Sequence, residues 1–255
     1  MVNVRLGKSE IVVNKNGFGA LPIQRVPMKE SIKIIQKAYE GGINYYDTAR
    51  AYTDSEKKLG IALNNVRDKV VIASKTRALN VEDFWKDLNQ SLKELQTDYI
   101  DLYQFHNPPF VPKLNDNTGL YEAMIEAKEK GFIKHIGITF HKLNLADEAI
   151  NSGLYETLQF PFSYLSGKED LNIIKSCKKE DVGFIAMKAF SGGLITNGYA
   201  SFGFMEKYDN VLPIWGIQKE KELDEALNNL KSPVKLNKKL IEDINNDKKD
   251  LIGEF

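Results

Sequence analysis

Four side chains able to move or hold a proton stand in the first half of the chain: Asp47, Tyr52, Lys75 and His106. Asp47 follows the β-prone run Ile43 to Tyr46, Tyr52 comes five residues later, Lys75 ends VVIASK and His106 ends IDLYQFH. A phenol with a pKa of ~10 is a poor acid at neutral pH, and an adjacent ammonium lowers that pKa toward the working range. Lys75 is the candidate ammonium; buried, it needs a counter-charge, which Asp47 can supply. His106 can donate a hydrogen bond to a carbonyl oxygen and orient it. The set suits protonation of an oxygen that gains negative charge as hydride reaches a carbonyl carbon. No side chain delivers hydride, so a nicotinamide cofactor is implied.

The elements that must bring these four together can be read from periodicity. Two short β-prone pieces, NVRL and EIVV, flank Gly7-Lys8-Ser9 and predict a hairpin that closes one end of the fold. A strand then ends at Gly17-Phe18-Gly19-Ala20, where the glycines permit either a tight turn or close approach to a neighbour or ligand. Met28 to Glu40 is amphipathic, with Ile32, Ile34, Ile35 and Ala38 on the inner face and Gly41-Gly42 as its stop. Ser55 or Asp54 is placed to cap the next helix, Asp54 to Asn65. From there strands KVVIAS, DYIDLYQF, IKHIGI, ETLQF, VGFIAMK and VLPIW alternate with helical patterns at Val81 to Leu95, Leu120 to Lys130, Leu143 to Asn151, Leu171 to Lys179, Ala200 to Tyr208 and Lys219 to Leu230. A further helical pattern lies near Asn237 to Ile244.

Eight short, nearly continuous apolar strands, each followed by a helix, predict a parallel sheet covered by helices. In ~250 residues the natural closure is a (β/α)8 TIM barrel. A doubly wound sheet loses its main support, because no G-x-G-x-x-G opens a helix after a strand. In a barrel the ligand face is built by loops after the strands' carboxyl ends. Those ends carry Asp47, Lys75, His106, Thr139, Gln159, Lys188 and Gly216 in succession. Each alone has a bland reading as a loop or structural residue; together they point to one site.

Composition narrows the function classes. The 255 residues, 42% of them hydrophobic, suffice for one domain over 1–255. Lys plus Arg equals Asp plus Glu at 35 each, so no net field attracts nucleic acid or anionic lipid, and a small-molecule partner is expected. MVNVRLGKSEIVV lacks a signal peptide's apolar core, and no apolar run approaches the ~20 residues that span a bilayer, so a soluble cytoplasmic protein is expected, monomeric or a small homo-oligomer. The single cysteine, Cys177, excludes an internal disulfide and any all-cysteine metal site, and its place in IIKSCKK reads as an inert thiol.

Taken with their neighbours, these residues resemble the aldo-keto reductase family over nearly the whole chain. RLGKSEIVVNKNGFGALPIQR is similar to the family's opening, NYYDTARAYTDSEKKLG to its Asp-to-Tyr segment, IASKT to its lysine strand and DLYQFHNP to its histidine strand; FIKHIGIT, LQFPFSYL and FIAMKAFSGG follow in the family's order. The resemblance implies NAD(P)H-dependent reduction of small aldehydes or ketones, with Tyr52 as general acid, Asp47 and Lys75 tuning it and His106 positioning the substrate oxygen. It also implies cofactor contacts from Gly19, Ala20, Asp47, Thr139, Gln159, Met187, Lys188, Gly193 and the segment from Gly216 through Gln218 to Glu225. Asn107 to Thr118 is the expected substrate wall.

Departures from the family pattern carry information. Thr139-Phe140-His141 replaces the common Ser-Asn, so a carboxamide contact falls to His141 or Gln159, or is lost. Met187 stands where many members place an aromatic ring, Ile214-Trp215-Gly216 replaces Ile-Pro-Gly, and Ala226 replaces a familiar Asn. Glu222 aligns with the arginine that takes a 2'-phosphate, which favours NADH, although Lys219 and Lys221 nearby could offset its charge. DLIGEF resembles the junction after which a ferredoxin-like iron-sulfur segment follows in a bacterial and archaeal branch; that segment is absent here, and a truncated form with an open, poorly selective pocket is expected. Two other functions compete: a Schiff-base aldolase on Lys75 or Lys188, and a catalytically weak or inactive cofactor-binding barrel with a redox or structural role.

Overall fold

The chain opens with the expected hairpin, β1 (Asn3–Arg5) paired antiparallel with β2 (Val12–Asn14). The computed structural model describes residues 2–252; Met1 and residues 253–255, the end of the DLIGEF segment, lie outside the described residues. Eight parallel strands follow, each with its helix: β3 (Gly17–Gly19) and α1 (Met28–Glu40), β4 (Tyr45–Asp47) and α2 (Ser55–Leu63), β5 (Val71–Thr76) and α3 (Val81–Leu95), β6 (Ile100–His106) and α4 (Leu120–Glu129). The second half adds β7 (Ile133–Thr139) and α5 (Leu143–Asn151), β8 (Thr157–Pro161) and α6 (Lys168–Lys179), β9 (Gly183–Met187) and α7 (Gly198–Met205), and β10 (Val211–Gly216) and α8 (Glu220–Lys231), before α9 (Lys238–Ile252). The strands close in the order β10-β3-β4-β5-β6-β7-β8-β9, which is the TIM barrel the alternation predicted.

Side-chain alternation gives the barrel two cores. Outward residues such as Phe18, Tyr46, Ile72, Tyr103, Phe105 and Ile138 pack under the helices. Inward residues Tyr45, Ala73, Leu102, Ile185, Leu212 and Ile214 form a separate apolar layer with Val4, Leu6, Ile11 and Val13 of the hairpin. The hairpin therefore plugs the end of the barrel remote from the strands' carboxyl ends, with Leu6 fully buried. Above that layer the inward side chains turn polar, and the candidate site begins.

Element boundaries shifted where local hydrogen bonds outweighed periodicity. α6 starts at Lys168 rather than Leu171, because Asp170 accepts from the Gly167 amide at 2.9 Å and closes the first turn earlier. α7 runs Gly198–Met205 rather than Ala200 to Tyr208; Asn197 caps it, and Lys207 and Tyr208 close with tighter three-residue bonds. α9 extends to Ile252, anchored by Tyr164 on Asp247 and by Asn197 on Asp243. Neither Asp54 nor Ser55 caps α2: Asp54 pairs instead with Lys58 at 2.8 Å, and the Ser55 hydroxyl donates to Ala20 O at 2.9 Å. Cys177 is buried with its thiol pKa pushed up by that burial, in keeping with an inert role. Among the described residues no helix is long and apolar enough to cross a membrane.

Candidate active site

Asp47 is the last residue of β4 and points inward, two positions beyond Tyr45. On β5 the same phase puts Lys75 inside and Thr76 outside, where Thr76 donates to Asp87 of α3 at 2.6 Å. Lys75 Nζ lies 2.7 Å from Asp47 Oδ2 and 2.7 Å from the carbonyl of Thr48. Gln159 on β8 reaches Asp47 Oδ2 at 3.5 Å, and Gln104 on β6 donates to the Gln159 amide oxygen at 3.1 Å. The two glutamines need room in the barrel that Gly137 of β7 provides: a Cβ there would stand 2.4 Å from Thr157 Oγ1 and 3.0 Å from Gln104 Cγ. Burial pushes the Asp47 carboxyl up, against the pull of Lys75 and the two glutamines.

Tyr52 is delivered to this group by the loop between β4 and α2. Backbone bonds from Thr48 to Ala73 O and from Arg50 to Lys75 O stitch the loop to β5, and Tyr52 N and Ser55 N close successive turns around the tyrosine. Thr48 Oγ1 donates to Ser55 Oγ at 2.9 Å, which ties the loop on to Ala20 beyond β3. Arg50 pairs with buried Glu56, itself held by Ser74 Oγ at 2.5 Å. Lys58 donates to Ile23 O and Val26 O, fixing the neighbouring turn over Pro22–Arg25. Sequence periodicity shows none of these cross-links, because they join segments up to 35 residues apart.

The half-buried Tyr52 ring meets His106 edge-on, with centroids 5.6 Å apart and planes at 84°, and Lys75 Nζ lies 5.2 Å from its centroid. The expectation of a lowered phenol pKa needs correction: burial pushes Tyr52 above its ordinary value, and the Lys75 charge only partly opposes it. The phenol therefore stays protonated at neutral pH. His106 is pushed down to about 3, first by burial and then by the charges of Lys75 and Arg77, so its imidazole is neutral. Its Nδ1 is buried without a partner, as is Asp47 Oδ1. Beside His106 a cavity of about 280 Å³ opens, lined by Arg77, Phe105, Asn107, Pro108 and His141 among others.

The remaining expected residues lie at the carboxyl ends of other strands or in the segments that follow them. Gly19 and Ala20 are buried at the end of β3; Ala20 N donates to Asp47 O at 2.8 Å, and a Cβ on Gly19 would press on Trp215 O at 3.1 Å. Thr139 is buried at the end of β7, its hydroxyl accepting from Asn107 N at 3.0 Å. Met187 is half-buried at the end of β9, and exposed Lys188 follows with a left-handed φ of 56° and its Nζ 3.4 Å from His141 Nδ1. Gly193 is exposed on the loop after β9 and Gly216 is exposed at the end of β10, and Gln218 and Glu225 are half-buried before and within α8. These last four make no hydrogen bond to Asp47, Tyr52, Lys75 or His106 among the described residues.

Sequence reading missed Gln104, Arg77, Ser163 and Ser191. Gln104 and Arg77 stand two residues from His106 and Lys75, in the same inward phase, so strand periodicity could have found both. Ser163 and Ser191 come from different loops, and only the fold brings their hydroxyls to 2.7 Å. With Ser166, Asp170 and Lys188 they line a second cavity of about 300 Å³. A nicotinamide dinucleotide needs acceptors for its ribose and positive or donor groups for its diphosphate. The buried Asp47 oxygen without a partner is an acceptor, and the second cavity offers hydroxyl and amine donors beside the Asp170 carboxylate.

Comparison with known proteins agrees with this architecture. A family model described as the aldo/keto reductase family matches residues 15–231. The uncharacterized oxidoreductase YqkF of Bacillus subtilis is 27% identical over 231 residues, covering 79% of this chain and 73% of that protein. Methylglyoxal reductase DkgA of Escherichia coli is 36% identical over 143 residues, covering 50% of this chain and 48% of the relative; aldo-keto reductase YhdN of Bacillus subtilis is 32% identical over 183 residues, covering 66% and 54%. The chain thus spans about half the length of DkgA and YhdN. Aldo-keto reductase AKR11C1 of Bacillus halodurans, in its holo form, superposes with a TM-score of 0.83 over 97% of this chain and 96% of its own at 20% identity. A Klebsiella pneumoniae aldo-keto reductase in complex with NADPH gives 0.79 over 96% and 94% at 18% identity. At these identities the structural likeness is one of fold.

Proposed function

The chain belongs to the aldo/keto reductase family, and we propose that it reduces the carbonyl group of a small aldehyde or ketone with NADH or NADPH, Tyr52 acting as the general acid. The observation that carries this reading is the convergence of Tyr52 on Lys75 and on His106, which lines the cavity, with Asp47 paired to Lys75. On this reading Asp47, Gln159, Met187, Lys188, Ser163 and Ser191 would hold the cofactor. When bound, that cofactor supplies the hydride.

Neutral His106 offers an N–H to the carbonyl oxygen and orients it toward Tyr52. As that oxygen gains negative charge it takes the Tyr52 proton; an alkoxide is a much stronger base than a phenolate, so a raised phenol pKa does not block the transfer. Lys75 stabilises the phenolate that remains, and Asp47 keeps Lys75 charged and in place. The half-exposed phenolate then regains a proton from solvent. Lys75 serves a Schiff base poorly, since it is buried and bonded to both Asp47 and Thr48 O.

For the choice of cofactor, NADH is favoured. Glu222 of α8 turns back and accepts from the amides of Gln218 at 2.8 Å and Lys219 at 3.1 Å, so a carboxylate already occupies the helix N-terminus that would otherwise attract a second anion. The test of the whole reading is the loss of NADH and NADPH absorbance with aldehydes, diketones and quinones, for wild type and Tyr52→Phe. Turnover that falls by ~10² or more in the variant supports it. Cofactor binding without turnover of any carbonyl compound would favour the inactive cofactor-binding barrel instead.

A further inference from the structure

We infer that Arg77 selects a substrate that carries a carboxylate as well as its carbonyl group, a short oxo-acid rather than a neutral aldehyde. This rests on the reductase reading and names the substrate class for that same site. Arg77 follows Lys75 and Thr76 at the end of β5; Thr76 turns outward to Asp87, and Arg77 returns inward to line the cavity that His106 also lines. Arg5, Arg50 and Arg67 are held in ion pairs, whereas Arg25 and Arg77 are exposed with no hydrogen bond or ion pair among the described residues, and of these two it is Arg77 that lines the cavity. Among the described residues the cavity lining contains no carboxylate: Thr76, Arg77, His106, Asn107 and His141 are its polar members.

A free guanidinium on the wall of a reaction cavity offers paired N–H groups that match a carboxylate in plane and charge. His106 and His141 are both held toward the neutral form, so the lining carries one formal positive charge and suits a monoanion. Lys188, against His141, lines the second cavity instead. Arg77 is thereby a specificity-determining residue: it holds the substrate equally before and during reaction, so its loss should appear in KM for the acid.

The test compares 4-oxobutanoate with its neutral methyl ester in wild type, Arg77→Met and Arg77→Lys. The wild type should prefer the acid by ~10-fold or more in kcat/KM, Arg77→Met should cut that ratio by ~10-fold through KM, Arg77→Lys should keep part of it, and added salt should erode it. A wild-type ratio near one, or a ratio that survives in Arg77→Met, overturns the inference. Titration calorimetry with butanoate at low ionic strength supplies a readout free of turnover: binding at least ~10-fold weaker in Arg77→Met supports the carboxylate site, and equal or undetectable binding in both proteins overturns it. If neither carbonyl compound is reduced while butanoate binding depends on Arg77, the reductase reading fails and the carboxylate site stands.

Discussion

Lys75 Nζ and Asp47 Oδ2 meet at 2.7 Å in a layer of the barrel where neither side chain is more than 3% exposed. A buried pair of this kind contributes little net stability over an apolar pair, but breaking it strands a charge. Asp47→Ala should therefore cost ~3–5 kcal/mol of unfolding free energy, and Asp47→Ala with Lys75→Met should cost clearly less than the two single losses added. Urea titration of the three variants measures this. Additive losses would mean that the two groups are not coupled.

The acid limb of catalysis has a definite sign. Tyr52 donates only when protonated, and its pKa is raised above 10.0 by burial. The reduction rate should stay flat as pH rises through neutrality and fall only above pH 10.0. Because Lys75 pulls that pKa down, Lys75→Met should move the fall to still higher pH while lowering the plateau. A rate that declines between neutrality and pH 9 in the wild type would assign the proton to another group.

His106 ties stability to pH. Its pKa is about 3 in the folded chain against 6.5 as a free side chain, so between those values the unfolded chain binds a proton that the folded chain refuses. Its contribution is complete above 6.5 and is lost as pH falls toward 3. Unfolding free energies from pH 7 to pH 4 should drop less steeply in His106→Gln than in wild type, by about one proton's slope. Parallel curves would place the imidazole in water.

Glu222 makes the cofactor preference testable in both directions. Glu222→Arg removes the carboxylate that takes the Gln218 and Lys219 amides, so it should lower stability by ~1 kcal/mol and raise kcat/KM with NADPH relative to NADH by ~10-fold or more. Steady-state rates with the two cofactors decide. An unchanged ratio would show that this helix end does not meet the 2'-phosphate.

The strand-and-helix alternation, the hairpin that closes one end and the strand-end positions of Asp47, Lys75, Gln159 and His106 were all legible in the sequence. Alternation along a strand and the 3.6-residue repeat of a helix are local, and a parallel barrel imposes both on every unit. Alternation along the strand also puts Gln104, two residues before His106, and Arg77, two residues after Lys75, in the inward phase. Local patterning does not report what a side chain meets across the barrel. Burial raised the Tyr52 pKa where its neighbour alone predicted a fall, Lys58 drew Asp54 away from the cap of α2, and the Ser163 and Ser191 hydroxyls came together from separate loops. The first and last of these depend on segments far apart in the chain meeting in the closed barrel, and the Lys58 ammonium is fixed by the Ile23 and Val26 carbonyls more than 30 residues away. Residue types and spacing determined which groups reach the barrel mouth; desolvation and cross-barrel contact, which only closure creates, decided their protonation and their partners.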